Sequence, residues 1–366
     1  MKVVITGGHL TPALAVIEEL KKGQSEIHFI GRLYSMEGDN TPSVESKVIA
    51  DLQIPFYPLT TGRLQRRLTR FTFVSLAKVP FGFWQAYRYL KKIQPDVVLS
   101  FGGYLALPVV VVAKLMNIRV VTHEQTVVFG MSNKIISKFA DKIAVSWPNS
   151  VSYFPADKVV LTGNPIRKEL LSIRRRLSVR PTLYFTGGNQ GAHVINQAVF
   201  EILSELLEIF DVVHQTGSAG LSQDYERSKS LKNELSKVAS DHYNCKEWFD
   251  TQELKNILAK VTLVISRSGA NTVTELAALG IPSVLIPIPW VAQDEQTQNA
   301  LVLSEAGSAI ILRQKELTSK KLFTTIQLAL ENLDQLEKHA KIYKKSFKTN
   351  AAEKIAQLVR QVAAHR

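Results

Sequence analysis

Two segments of the chain carry the side chains best suited to holding a phosphorylated substrate. In residues 266–276, Ser268, Gly269, Ala270, Asn271, Thr272, Val273, Thr274 and Glu275 follow the apolar run 261–265 and open an apolar helix. At such a junction small residues and backbone N–H groups converge where an anion can sit, and the shape suits a diphosphate. Glu275 then falls in the first turns of the helix, where acidic side chains of α/β nucleotide sites accept hydrogen bonds from ribose hydroxyls. The same carboxylate could equally do no more than complement the helix dipole. The second segment, 293–300, contains Glu295 and Gln296 in a run of polar residues.

The elements that must position these residues alternate along the chain. Short β-branched runs at 3–6, 27–30, 97–100, 120–123, 142–146 and 159–162 are separated by helical stretches, and a second series follows at 182–186, 212–215, 263–266, 283–287 and 309–312. This rhythm predicts an α/β protein with two parallel, helix-covered, doubly wound sheets. The expected domains are 1–165 and 166–345, with a terminal helix over 346–366 able to pack back on the first. The basic stretch 168–180 reads as the connection between them. Ligands of open parallel sheets sit beyond the carboxyl ends of the strands. The polar and glycine-rich loops fall at those ends, at 6–9, 101–104, 123–126, 163–167 and 187–192, so the two domains are expected to face a shared cleft. With no G-x-G-x-x-G among them, a dehydrogenase is disfavoured.

Composition narrows the setting. The 366 residues are 45% hydrophobic and 21% charged, ordinary for a soluble α/β protein. The one cysteine, Cys245, excludes an intrachain disulfide and a multi-cysteine metal site. The most apolar run, 105–116, contains Pro108 and Lys114 and falls short of the ~20 residues a membrane span needs. No signal peptide is read at the amino terminus, so a cytoplasmic protein is expected. The net charge of +13 calls for an anionic partner. Much of it is local: from 62 to 92, eight Lys and Arg, among them Arg66, Arg67 and Arg70, stand without an acidic residue and are interleaved with aromatics that include Phe81, Phe83 and Trp84. Basic and aromatic side chains together suit an anionic membrane surface. The blander alternative is a solvated basic helix whose aromatics lie in the core. Nucleic acid is not the expected partner, since no recognised binding module surrounds the patch.

Read in order, these motifs resemble those of the MurG family, bacterial transferases that move N-acetylglucosamine (GlcNAc) from UDP to undecaprenyl-diphospho-muramoyl-pentapeptide. The resemblance runs from Gly7-Gly8-His9 through Gly102-Gly103-Tyr104, His123-Glu124-Gln125, Gly163-Asn164-Pro165-Ile166-Arg167 and Gln190-Gly191-Ala192 to the two segments first described. It implies a GT-B fold, with UDP-GlcNAc bound mainly by the second domain and the lipid-linked acceptor by the first, at the cytoplasmic face of the membrane. It carries donor-binding positions onto Arg167, Asn189, Phe249, residues 270–275 and Gln296, and cleft positions onto Thr6, Gly7, Gly8 and Thr126. The chain departs from the family where it passes straight from Thr6 to Gly7-Gly8-His9: about four residues of the usual longer glycine loop are absent, so the cradle for the lipid diphosphate is expected to be smaller. Thr126, Asn189 and Glu295 stand where the family has Asn, Ser and His.

The implied reaction inverts an anomeric centre, and it needs a base for the acceptor hydroxyl and charge stabilisation for the departing diphosphate. His9, ahead of a helix expected over 12–22, could supply the base as a neutral imidazole, or could merely cap that helix or bind the acceptor diphosphate. His123 and Glu124 are the reserve candidates. For the leaving group the expected partners are the N–H groups of 189–192 and 268–271, with Arg167 as a fixed charge. No tightly bound metal is expected, although Mg²⁺ could assist without dedicated ligands. A diacylglycerol glycosyltransferase, or a non-catalytic membrane- or nucleic-acid-binding relative, is the alternative reading.

Overall fold

The computed structural model of the chain describes residues 1–34, 43–62, 70–217 and 222–364, and of 70–76 and 292 the backbone alone. It divides into two compact units, one of residues 1–167 with 349–366 and one of 168–348.

The first unit is built on seven strands: β1 (Lys2–Thr6), β2 (Glu26–Gly31), β3 (Phe56–Pro58), β4 (Val97–Ser100), β5 (Arg119–Glu124), β6 (Lys142–Val145) and β7 (Val159–Leu161). They pair in parallel in the order β3-β2-β1-β4-β5-β6-β7, with Val3 level with Ile27 on one side and Val97 on the other. Val3, Val4 and Ile5 of β1 and Val97, Val98 and Leu99 of β4 are all fully buried. Such unbroken apolar runs are what a strand covered by helices on both faces requires.

The helix Ala351–Ala364 closes one face of this sheet. Ala352, Ile355, Ala356 and Val359, spaced i, i+3, i+4, i+7, enter the core with Val16 and Leu20 of the helix Leu10–Lys22. The Arg360 guanidinium donates to the Glu19 carbonyl at 2.7 Å. The terminal helix begins later than expected, because residues up to Ser346 belong to the preceding helix, Leu333–Ser346.

The second unit holds β8 (Thr182–Thr186), β9 (Asp211–Gln215), β10 (Tyr243–Lys246), β11 (Leu263–Ser266), β12 (Ser283–Leu285) and β13 (Ala309–Ile311), parallel in the order β10-β9-β8-β11-β12-β13. The stretch 168–180 is a fixed part of this unit rather than a loose connection. The Arg175 guanidinium donates to the carbonyls of Gly280 and Val261, each at 2.9 Å, and lies 3.6 Å from the Glu337 carboxylate.

Strand order reverses between β1 and β4 in the first unit and between β8 and β11 in the second. At such switch points the loops diverge to opposite faces and leave a crevice at the carboxyl ends of the strands.

Candidate active site

At the β1/β4 reversal the two loops are tied by main-chain bonds: the Phe101 N–H donates to the Thr6 carbonyl at 2.7 Å and the Gly8 N–H to the Gly102 carbonyl at 3.2 Å. Gly7 has φ +136°, and a Cβ there would stand 2.8 Å from the Phe101 carbonyl carbon. Only glycine suits both the angle and the approach. Thr6 is fully buried, Gly8 is exposed, and Tyr104 leans on the core beneath.

His9 occupies the N-cap position of the helix Leu10–Lys22, yet its side chain makes no capping bond. The imidazole is half-buried, and the surrounding protein pushes its pKa down to about 4, so it is neutral at pH 7. His123 and Glu124 are placed differently. His123 is 1% exposed, its Nε2 lies 3.3 Å from the Gly163 carbonyl and 3.2 Å from Ser146 Oγ, and burial lowers its pKa to about 3.

Glu124 is 4% exposed. Its Oε1 accepts from the Thr126 N–H at 3.1 Å and hydroxyl at 2.8 Å, its Oε2 accepts from Asn133 Nδ2 at 2.6 Å, and burial holds its pKa above the usual carboxylate range. The reserve candidates are thus both buried: His123 Nε2 and both Glu124 oxygens meet neighbouring protein, and Glu124 braces the loop that follows β5. Thr126, also buried, is part of that brace, its hydroxyl lying between Glu124 Oε1 and the Val128 carbonyl, which share its one proton.

At the β8/β11 reversal the construction is more open. Asn189 and Gln190 are exposed at the tip of the glycine loop that follows β8. Opposite them, Gly269 starts the helix Ala270–Leu279. On that helix Ala270, Val273 and Thr274 turn into the core, Thr274 bonding back to the Ala270 carbonyl at 2.7 Å, whereas Asn271, Thr272 and Glu275 are partly exposed on the other face. Ser268 and Gln296 turn to the main chain: Ser268 Oγ donates to the Gln296 carbonyl at 2.8 Å, and Gln296 Oε1 accepts from the Ile288 N–H at 3.1 Å.

Just before Gln296, Gln293 and Asp294 both adopt left-handed backbone, φ +52° and +51°. Such conformations cost non-glycine residues energy and gather at functional loops. Phe249 is buried edge-on to Tyr184, so its side chain is a core group, and its N–H donates to Gln215 Oε1 at 3.4 Å. Arg167, half-buried, ends the first unit, and Glu295, half-buried, opens the helix Glu295–Glu305.

The described helix starts at Val44, Lys237, Thr251 and Ser319 are capped by Ser43, Ser236, Asp250 and Thr318. The helices that follow the four switch-point strands, beginning at Leu10, Ala106, His193 and Ala270, have no side-chain cap, as is also true of those at Met131, Leu203, Asp224, Glu295 and Leu333. Their leading N–H groups are the positive ends of helix dipoles and are suited to an anion. Among the described residues no three His, Cys, Asp or Glu side chains come together as a metal site.

Residues 3–145 match the Glycosyltransferase family 28 N-terminal domain and residues 182–355 its C-terminal domain. A UDP-N-acetylglucosamine–N-acetylmuramyl-(pentapeptide) pyrophosphoryl-undecaprenol N-acetylglucosamine transferase of Exiguobacterium sp. is 36% identical over 356 residues, 92% of this chain and 93% of the relative. Its namesake from Desulforamulus reducens is 32% identical over 98% and 96%. The crystal structure of Acinetobacter baumannii MurG, 27% identical, superposes with a TM-score of 0.71 over 98% of this chain and 99% of that one.

The chain belongs to the MurG family. It is a glycosyltransferase of GT-B fold, as its motifs and its two parallel-sheet units imply. Of the three positions where it departs from the family's residues, Thr126 is buried, Asn189 is exposed and Glu295 is half-buried.

Three supporting residues escaped the sequence reading. Asn133 bonds Glu124, and a Cβ on Gly102 would run into it. Arg267, 8% exposed and lowered by burial to about 10, donates to the Ile286 carbonyl at 3.0 Å and so ties the end of β11 to that of β12. Gln215, at the end of β9, bonds both the glycine loop and the Phe249 N–H. Their only signal in sequence is a polar side chain next to a glycine or at a strand end.

Proposed function

We propose that this MurG-family enzyme moves GlcNAc from UDP-GlcNAc to the 4-hydroxyl of undecaprenyl-diphosphate-linked muramoyl pentapeptide, with inversion, completing the lipid-linked disaccharide of peptidoglycan. The observation that carries the reading is the uncapped start of the helix Ala270–Leu279 at the β8/β11 reversal, with Asn271, Thr272 and Glu275 on its open face. There the peptide N–H groups stabilise the departing diphosphate, assisted by the glycine loop that follows β8, and Glu275 takes the ribose hydroxyls.

The acceptor belongs to the first unit. His9, neutral and without a capping bond, takes the proton of the attacking hydroxyl as the C1–O bond to UDP breaks and the new β-1,4 bond forms. Glu124, Thr126 and Asn133 keep the neighbouring loop in place. The test is transfer of radiolabelled GlcNAc to a short-chain analogue of the lipid acceptor. Bound UDP-GlcNAc without transfer would redirect the search to another lipid acceptor, such as diacylglycerol.

The same enzyme docks reversibly on the anionic inner leaflet of the cell membrane. No helix among the described residues is long and apolar enough to cross a bilayer. Support comes from the helix Arg70–Ile93. Its Ala86, Leu90 and Ile93 are buried, while Phe81, Trp84 and Tyr87 are 46%, 50% and 44% exposed. Phe81 stacks on Trp84 at 5.6 Å, and the Arg88 guanidinium lies 4.8 Å from the Trp84 ring centre.

Phe83 does not share that face: it packs partly on the core, as does Tyr89. Arg66 and Arg67 lie outside the described residues, as does the side chain of Arg70. Each cation near an anionic leaflet contributes roughly 1 kcal/mol. Replacing Phe81 and Trp84 by Ser is expected to weaken binding to phosphatidylglycerol vesicles at least tenfold with UDP affinity unchanged, as sedimentation would measure. Undiminished binding would return this helix to a solvated face.

A further inference from the structure

Gln215 ends β9 with its side chain 5% exposed and every hydrogen-bonding position of its amide filled. Nε2 donates to Thr186 Oγ1 and to the Gly188 carbonyl, each at 3.2 Å, and Oε1 accepts from the Tyr184 hydroxyl at 3.2 Å and the Phe249 N–H at 3.4 Å. A primary amide offers two N–H groups and two lone pairs, so these partners fix which way it faces. Turned over, its NH2 would meet the Phe249 N–H and its oxygen the Gly188 carbonyl.

Those partners belong to separate loops. β9 lies between β8 and β10, so its last residue touches the glycine loop on one side and the segment leading to Phe249 on the other. Thr186 Oγ1 adds a second tie, accepting from the Gly188 N–H at 3.0 Å. The C=O and N–H of a trans peptide point to opposite edges, so drawing the Gly188 carbonyl inward turns the next N–H outward.

We propose that Gln215 is a positioning residue of the donor site, fixing the spacing and facing of the glycine loop and the Phe249 loop so that one nucleotide sugar meets both. This rests on the donor reading given above. Gln215 touches no substrate itself, and its effect falls on donor binding rather than on the chemical step or the acceptor.

Gln215→Glu keeps the shape but sets an acceptor oxygen against Gly188 and Thr186. Calorimetry with UDP is expected to show the Kd raised at least tenfold and the KM for UDP-GlcNAc raised with it. The kcat at saturating donor and the KM for the acceptor should stay within threefold. Thr186→Val withdraws the hydroxyl shared by Gln215 and Gly188 without adding charge, and is expected to weaken UDP at least threefold, which keeps the test decisive if Gln215→Glu does not fold. A folded variant that binds UDP as the parent does, or that raises the acceptor KM equally, overturns the role of Gln215 alone. A parent protein that binds no UDP overturns the donor reading itself.

Discussion

The two strand-order reversals share a backbone plan and differ in what they bury. The β1/β4 reversal gathers imidazoles and a buried carboxyl, His9 and His123 beside Glu124, between loops tied by their own main chains. The β8/β11 reversal gathers hydroxyls, amides and peptide N–H groups around an exposed loop tip. One fold, used twice, thus divides its side chains, and on the function proposed above the first reversal moves a proton and the second holds negative charge.

The sharpest way to break that division is His9→Ala. General-base assistance contributes roughly 10²–10⁴-fold, so kcat is expected to fall by about that factor while the Kd for UDP stays within twofold. A matching loss of UDP affinity in calorimetry would mean that the two reversals do not act separately.

Glu275→Ala probes the other side. A hydrogen bond to a charged group contributes about 1.5–3 kcal/mol, so the KM for UDP-GlcNAc should rise roughly 10- to 100-fold with kcat little changed. An unaltered KM would leave Glu275 as a partner of the helix dipole only.

A smaller effect lies in acid. His123, and His214 in the second unit, are held at about 3 by burial, and His9 at about 4. The unfolded chain takes up the extra proton first, near 6.5, so the stability tied to each neutral imidazole is intact above pH 6.5 and is lost as the pH falls toward the folded value. At pH 5 the cost is about 2 kcal/mol for each fully buried imidazole, and half-buried His9 adds less. In the first unit the buried carboxyls Glu45, raised to about 7, and Glu124, also raised, act in the opposite sense and add stability as the pH falls. The second unit, with His214, should therefore open first when hydrogen exchange is followed between pH 7 and 5. The reverse order would mean that packing, not protonation, decides which unit is weaker.

Much of this division is legible in sequence, because parallel strands buried on both faces leave plain apolar runs. The strands at the two reversals, β1, β4, β8 and β11, end where the sequence reading ends them, at Thr6, Ser100, Thr186 and Ser266. The runs that escape it are β3 and β10, the outermost strand at one end of each sheet. With Pro55 and Pro58 at one and Asn244 and Lys246 in the other, neither carries a strong β signal.

The site is legible in its motifs and less so in the use of each residue. Asn189 is exposed and His9 and Glu275 are partly so, while His123, Glu124, Phe249 and Phe83 turn inward. Inward or outward depends on which neighbour fills the space beside a strand end, and local spacing does not record that. Gly7-Gly8-His9 shows both sides: its shortness is plain from the chain, but its bond to Gly102 joins residues nearly a hundred positions apart.

The helix Ala351–Ala364 completes a core whose other strands and helices were all made before residue 167. During synthesis the first unit must therefore wait, with its apolar surface under β1 and β4 uncovered, while the whole second unit is translated, a delay on the order of ten seconds or more at typical elongation rates. The second unit, contiguous in the chain, can fold as it emerges. The second unit can thus be complete before the first, and the most vulnerable interval, when a chaperone has most to offer, comes before the helix Ala351–Ala364 emerges.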